Sequence, residues 1–329
     1  MRGMPAMKKR GLLCAAAGLA GLAAPAAAQE EADCDRQCLI DMADAYAAAL
    51  VENDPSKTPL AEGIVTVENL KGIAPGEGLW VSTTGPVTDF AIHVADPVSQ
   101  QVGLLAVLER EGEPVLVAIR LKRENGRIVE AEHLIGNELN EGQLANLQQP
   151  RQALLKEVPY EYADSRGRLI WLGESYYDAL DNNNSRHSSM ADDCERRENG
   201  FQTARNPMVR ESPGGNGQFD SIFAYLGGLG CAAQMDTNMW EYITTIHSRR
   251  VEIADTVTGL VWGTSHFQHD FTKKDFELIG VPGAKVRHLE FNPFDMPAVH
   301  IYKVWGGAIH EIEAVGLTAP YKSPTGWEE

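Results

Sequence analysis

The sequence contains two copies of one pattern, and this internal repeat constrains the fold more than any other feature. The stretch 122–132 recurs 181 residues later as 303–313, with Lys, Gly, Ile, Glu and Glu at the same places. A second match, at an offset of 130, gives nine identities in the 31 positions 39–69. Each copy is therefore expected to fold as its own unit around its own core.

Each copy begins with a helix and continues as sheet. Apolar residues of 34–50 recur at spacings of three and four, as one helix face requires, and the offset of 130 repeats them in the second copy. Runs of β-prone residues bounded by turn residues follow in both copies. We expect each copy to be a helical hairpin followed by a curled antiparallel sheet. The predicted strands are 80–82, 90–94, 103–108, 114–121, 127–134, 241–253, 260–267, 298–304 and 308–315.

The N-terminus has the layout of a cleavable secretory signal over residues 1–28. Three basic residues, Lys8, Lys9 and Arg10, precede an apolar run over 11–24 and a small-residue stretch. A membrane anchor is the alternative, but a spanning helix needs roughly 20 apolar residues. The protein is therefore expected to be secreted or periplasmic.

Charge limits the partners of the mature chain. Loss of the leader removes four basic and no acidic residues, so the formal charge changes from −17 to −21. Such an acidic chain is not expected to bind nucleic acid or an anionic membrane.

Four cysteines remain after cleavage, an even number that favours two disulfides in an exported chain. Three pairings are possible, and we favour Cys34 with Cys38 and Cys194 with Cys231. A zinc site made of all four cysteines is the alternative, but it lacks a second closely spaced pair.

The repeat predicts the domain boundaries. The first domain is expected over 29–136, a linker over 137–162, the second domain over 163–317 and a C-terminal tail over 318–329. Two segments of the second copy, 201–230 and 269–296, have no counterpart in the first. Long insertions in compact domains are typical of lids and binding loops.

Several motifs carry a family resemblance across the whole mature chain. A helical hairpin, a bent sheet and a closing strand of the form Gly-x-Ile-x-Glu-x-Glu resemble the SnoaL-like group of the nuclear transport factor 2 superfamily. Further motifs are similar to an uncharacterised family of exported two-domain proteins of bacteria and fungi. They are Cys34-Asp-Arg-x-Cys38, Thr66-Val-Glu-Asn69, Gly76-Glu-Gly-Leu-Trp80, Ala95-Asp-Pro97, and Arg249-Arg250 with Asp255.

The resemblance implies two tandem cone-shaped α+β domains. It also implies a deep, mostly apolar pocket inside a cone, used in different members for cofactor-free isomerase, cyclase, dehydratase or lyase chemistry, or for binding alone. Fold does not decide among these activities.

Comparison of the two copies singles out three polar residues. At the offset of 181, His300 replaces Ile119, Tyr302 replaces Leu121, and His310 replaces an inward-facing valine. Histidine and tyrosine supply general acid and base catalysis near neutral pH. The alternative is that they hydrogen-bond one another as ordinary core groups.

Neighbouring strands add further candidates. Strand alternation places Trp262, Thr264 and His266 on one face, and it also places His247 and Arg249 together. We expect His310, His300, Tyr302 and His266 to be catalytic, and Trp262, Thr264, His247 and Arg249 to bind the ligand. His266 and His269 lie three residues apart on a strand, so their side chains do not share a face and no metal site is expected. No cofactor is expected either.

These patterns favour an exported, cofactor-free lyase, isomerase or hydrolase that acts on a small, partly apolar molecule in the second domain. A non-catalytic binding protein that uses the same pocket is the alternative, and a structural or interaction protein is a third. Related cones dimerise through the open sheet face, so the duplication favours a monomer with an internal pseudo-dimer.

Overall fold

The two repeats fold into two mixed β-sheets, each covered on one face by a long helix. The computed structural model describes residues 34–207 and 221–328. The predicted α+β class is confirmed. The expected signal peptide and the Gly-rich stretch 213–217 lie outside the described residues.

The first repeat forms a six-stranded sheet whose hydrogen-bonded order is β2-β1-β6-β5-β4-β3. Its elements are α1 Arg36–Val51, β1 Leu60–Glu68, β2 Lys71–Ile73, α2 Leu79–Ser82, β3 Thr83–Asp96, β4 Gln101–Arg110, β5 Glu113–Glu124 and β6 Arg127–Glu138.

The second repeat forms a sheet with the equivalent order, β8-β7-β14-β13-β10-β9. Its elements are α5 Arg166–Asp181, β7 Met190–Glu198, β8 Phe201–Ala204, α6 Ser221–Gly228, α7 Cys231–Met235, β9 Thr245–Asp255, β10 Leu260–His269, β11 Asp275–Glu277, β12 Val286–His288, β13 Phe294–Trp305 and β14 Ala308–Gly316. Two short helices, α3 Glu141–Asn146 and α4 Gln152–Leu155, lie in the linker, and β15 Ala319–Pro320 follows the last long strand.

The sequence identities between the repeats have local structural causes. Asn69 and Asn199 both adopt positive φ, 43° and 49°, which asparagine tolerates better than most residues. The side chain of Asn69 bonds the backbone N–H and C=O of Ile135, and that of Asn199 bonds those of Gly316. Each asparagine therefore ties the turn after the first long strand to the end of the last one.

The prediction of a helical hairpin and a purely antiparallel sheet is wrong. The segment after α1 forms β1, which pairs parallel to β6, and β7 likewise pairs parallel to β14. The β-branched residues Val65, Thr66 and Val67 suit a strand better than a helix. The predicted strand at 80–82 is instead part of α2.

The two sheets pack against each other through the faces turned away from α1 and α5. One apolar cluster contains residues of both sheets. Its members on the first sheet are Phe90, Ile92, Val94, Leu105, Val107, Leu116, Ala118 and Leu134, and those on the second are Ile253, Leu260, Trp262, Val299, Ile301 and Val315. The open sheet face of each repeat is thus covered within one chain.

Gly103 makes close packing of the sheets possible, which predicts a cost for any side chain there. A Cβ at Gly103 would lie 2.3 Å from Cε3 of Trp262, which is fully buried. We expect Gly103→Ala to lower the free energy of unfolding by about 1 to 3 kcal/mol, as overpacking does. Urea unfolding measures the change. Gly85→Ala is the matched control, because a Cβ there meets nothing within 4 Å, and an equal loss in both variants would contradict the prediction.

Both favoured cysteine pairings are present as disulfides. The Cα atoms of Cys34 and Cys38 are 5.4 Å apart, and those of Cys194 and Cys231 are 5.6 Å apart. The second bridge joins β7 to α7 and lies in the core beside α5. Within 34–207 and 221–328, the helices are all too short or too polar to cross a membrane.

Candidate functional site

His300 and Tyr302 of β13 face α5, but the space that they enter is filled. The His300 ring lies parallel to that of Tyr302, with centroids 5.9 Å apart, and contacts the rings of Tyr176, Tyr177 and Phe267. The Tyr177 hydroxyl is 3.4 Å from His300 Nδ1. Burial lowers the pKa of His300 to about 4, so the ring is neutral at neutral pH. The prediction that His300 and Tyr302 line an open pocket is wrong, because they belong to an aromatic core.

A β-bulge explains why His310 does not face this core. Lys303 pairs with Glu311, whereas the next residue of β13 pairs with Ile309, so His310 is the extra residue on β14. The same irregularity occurs at Val129 in the first repeat. Simple alternation therefore predicts the wrong face at both positions, and Ile309 takes the core position instead.

His310 instead lies at the end of the second sheet. Its ring stacks on that of Trp305, with centroids 3.7 Å apart, and Nδ1 lies 2.7 Å from an Asp193 oxygen. Asp193 is exposed. His310 is therefore separate from His300 and Tyr302, and the three residues do not form one site.

The predicted face of β10 is confirmed, but it is the face opposite His300. Trp262 packs in the apolar core between the sheets, so it has no free surface for a ligand. Thr264 and His266 lie further along the same face, where the two sheets separate and leave a cleft.

His247 and Arg249 lie on opposite sides of β9, against the prediction. His247 stacks on His266, with ring centroids 4.7 Å apart. The strand is irregular at Ser248, whose φ is 49°. Arg249 therefore turns toward α5, where it forms ion pairs with Asp178 and Asp181. These contacts tie the helix to the sheet, so the Arg249 guanidinium is paired at α5 although the residue borders the cleft.

The cleft between the sheets is the candidate site. It has a volume of about 180 Å³ and lies where β6, β9, β10 and the C-terminal tail meet. Its lining combines apolar side chains with charged and aromatic ones. The lining residues are Val67, Leu70, Glu132, His133, Leu134, Ser248, Arg249, Arg250, Thr264, Ser265, His266, Pro297, Val299, Thr325 and Trp327.

His266 is the cleft residue best suited to acid–base chemistry. Its Nε2 lies 3.2 Å from Oδ2 of Asp295, which is fully buried. Burial and the neighbouring His247 lower the pKa of His266, against the attraction of Asp295. A neutral imidazole beside a buried carboxylate can accept a proton, and the carboxylate then stabilises the imidazolium.

Glu132 is the centre of the charged wall of the cleft. Its Oε1 lies 2.6 Å from Arg250 and accepts a bond of 3.1 Å from the Trp327 indole N–H, while its Oε2 lies 3.0 Å from Arg120. Although burial opposes ionisation, the two guanidinium groups hold the pKa of the Glu132 carboxyl below its usual range. Glu132 is therefore a carboxylate acceptor.

The equivalent position in the second repeat is closed. Glu313 is almost fully buried and pairs with Arg151 of the linker at 3.1 Å, and the same guanidinium contacts Glu311 and Glu195 at 3.0 and 2.6 Å. Burial raises the pKa of Glu313 to about 7, against the charge of Arg151. Arg151 of the linker thus covers the Glu-x-Glu pair of the second repeat, whereas Glu132 of the first repeat borders the cleft.

The predicted site residues omit three charged or aromatic residues that line the cleft, Glu132, Arg250 and Trp327, and also Asp295, which contacts His266. The repeated Glu-x-Glu pattern did mark Glu132, but as part of the shared scaffold. Arg250 was visible as one half of an arginine pair. Asp295 lies in the segment 269–296, which the sequence comparison left unmatched, and Trp327 lies in the C-terminal tail, so comparison of the copies could not find them.

Comparison with known proteins gives one match. The model of a domain of unknown function, DUF8021, matches residues 162–316, which hold the second repeat. Neither the curated proteins nor the solved structures contain a match to this chain.

Proposed function

We propose that the protein is an exported, cofactor-free enzyme whose site is the cleft between the sheets, with His266 as the general base. The observation that carries the proposal is that His266, which lies beside the buried Asp295 carboxylate, lines an existing cavity. The substrate is a small, partly apolar molecule, because Val67, Leu70 and Val299 form much of the wall.

The chemistry is a proton transfer within the cleft. His266 takes a proton from the substrate or from a water molecule, and Asp295 stabilises the charge that develops on the ring. Thr264 lies on the same face of the strand and offers a hydroxyl to the substrate. This arrangement is compatible with lyase, isomerase or hydrolase chemistry.

A non-catalytic small-molecule-binding protein is the second candidate. It is favoured by the charged wall, where Arg250 is already neutralised by Glu132 and so has no free charge to offer to a reaction. The site and the ligand class are the same in both proposals, and the difference lies in whether His266 transfers a proton.

Export is supported by the leader-like sequence of residues 1–28 and by the two disulfides. A SnoaL-like relationship is supported by the long helix that covers one face of each sheet, at equivalent positions in the two repeats. The packing of the two sheets within one chain supports a monomer with an internal pseudo-dimer. The acidic charge supports a small molecule, and neither nucleic acid nor membrane, as the partner.

Replacement of His266 tests the enzymatic proposal. Mature protein is incubated with a mixture of small metabolites, and turnover is followed by mass spectrometry. We expect His266→Gln to lower turnover by about 10² or more, because a positioned general base contributes that much. His310→Gln is the matched control and should keep its activity, because His310 lies outside the cleft.

Different results would contradict the enzymatic proposal and the binding-protein proposal. Equal turnover by wild type and His266→Gln would remove His266 from the mechanism. Retention of a metabolite by the protein without turnover would favour the binding protein, and absence of both would contradict a small-molecule site.

A further inference from the structure

The C-terminal segment 318–328 crosses the cleft and fills part of it. Its backbone approaches the turn after β1 closely, since a Cβ at Gly326 would lie 2.7 Å from the Leu70 carbonyl carbon. Ser323 donates its N–H to Asp295 Oδ2 at 2.8 Å, and Thr325 and Trp327 line the cavity. The segment therefore contacts both walls of the proposed site.

Trp327 is held in this cavity as a bound aromatic molecule would be. The guanidinium carbons of Arg120 and Arg250 lie 5.2 and 5.3 Å from the centre of its ring. Its N–H points at the Glu132 carboxylate, which accepts the bond at 3.1 Å. Two cations over an aromatic ring and one anion at its N–H are three interactions that depend on an indole-like group.

The charges around Trp327 are balanced without it. Arg120 pairs with Glu130 and Glu132, and Arg250 pairs with Glu132 as well. Trp327 adds no charge to this set and supplies a ring and an N–H donor alone. An occupant that replaces it should therefore be neutral, planar and aromatic, with an N–H at its edge.

The segment itself is attached in a way that permits exchange. Only Ala319 and Pro320 of the tail pair with a strand, and the bonds of the Glu328 carboxylate join it to Thr325 and Gly326 of the same turn. Asp295, which holds Ser323, is also the partner of His266. Departure of the tail would therefore open the cleft and free one acceptor position beside His266.

We propose that Trp327 is an internal ligand of the cleft, and that a neutral planar aromatic molecule with an N–H donor replaces it. The proposal rests on the cleft being the small-molecule site, and it defines the class of molecule that binds there. The tail acts as a strap that closes the empty site and leaves when that molecule binds.

Trp327→Ala empties the subsite, and indole is the probe. We expect indole to raise the unfolding temperature of this variant and to bind about tenfold tighter than benzothiophene, which has the same shape but no N–H. Trp171→Ala, which removes an exposed tryptophan of α5, is the control and should respond less, because its own Trp327 still occupies the subsite. Equal binding of indole and benzothiophene would show that shape alone defines the cavity, and this result would overturn the proposal. The proposal would also fail if indole did not bind, or if it stabilised Trp171→Ala as much as Trp327→Ala.

Exchange of the strap is tested on the wild-type chain. Saturating indole should accelerate amide hydrogen exchange in 323–328 by about tenfold or more, because the bond from Ser323 to Asp295 and the Trp327 contacts are lost. Unchanged exchange at saturation would show that the tail is fixed, and the proposal would fail. That failure leaves the proposed function intact, because His266-dependent turnover is measured separately and does not require the tail to move.

Discussion

Replacement of Arg151 by methionine is expected to destabilise the protein by about 3 to 5 kcal/mol, the largest effect of any single substitution considered. Arg151 is the cation that contacts Glu195, Glu311 and Glu313 together. Its removal leaves an almost fully buried carboxylate, Glu313, without the guanidinium that it contacts, and breaking such a buried pair is strongly unfavourable. Denaturant unfolding at pH 8 measures the loss.

The loss should become smaller as the pH falls. Burial raises the pKa of Glu313 to about 7 in the folded wild type, and removal of Arg151 raises it further. In the unfolded chain the carboxyl keeps an ordinary value near 4.5. The folded variant therefore binds more protons than the unfolded chain from pH 7 downward, and its stability rises as the pH falls toward 5.

Two controls separate this mechanism from a general loss of packing. Arg127→Ala removes an exposed arginine and should change stability by less than about 0.5 kcal/mol. Adding Glu313→Gln to Arg151→Met should recover part of the loss at pH 8, because the unpaired charge is then gone. A pH-independent loss, or no recovery in the double variant, would contradict the prediction.

The repeat predicted much of the fold because it reports on local structure. The sequence match at an offset of 130 predicts α5 from the position of α1, and strand alternation predicts that Trp262 and His266 share a face. The parallel pairing of β1 with β6 was missed because a hydrophobic pattern does not state which strand a segment pairs with. A β-bulge leaves no signal in a single sequence either. Regular strand alternation therefore predicts that His310 faces inward, and this prediction fails at the bulge.

The site was harder to predict than the fold, for a physical reason. The cleft exists only where the two sheets meet, and its walls come from β6 of one repeat, β9, β10 and β13 of the other, and the tail. Comparison of the copies finds positions that differ between equivalent places. It does not find a surface that both copies build together, to which Glu132 belongs.

His300 marked a real difference between the repeats, and that difference predicts acid sensitivity. Burial lowers the pKa of His300 to about 4, and burial likewise lowers that of His269 to about 4, whereas an unfolded chain has histidines near 6.5. Between pH 6.5 and 4 the unfolded chain binds more protons at these two histidines than the folded chain does. Their contribution to the free energy of unfolding is therefore fully present above pH 6.5 and is lost as the pH falls through this window. Each ring contributes on the order of 3 kcal/mol to that loss.

Glu313 acts in the opposite direction over part of the same range, since its raised pKa makes the folded chain bind more protons between about 4.5 and 7. The difference between wild type and His300→Ile isolates the histidine, because Glu313 is present in both. Isoleucine is the residue that the first repeat carries there.

We expect His300→Ile to be less stable than wild type at pH 7, because the ring packing is lost. Between pH 7 and 4, its free energy of unfolding should fall by about 3 kcal/mol less than that of wild type. His288→Ala, at an exposed histidine, should keep the wild-type pH dependence. Parallel curves for wild type and His300→Ile would show that His300 is not the buried neutral group that the aromatic core requires.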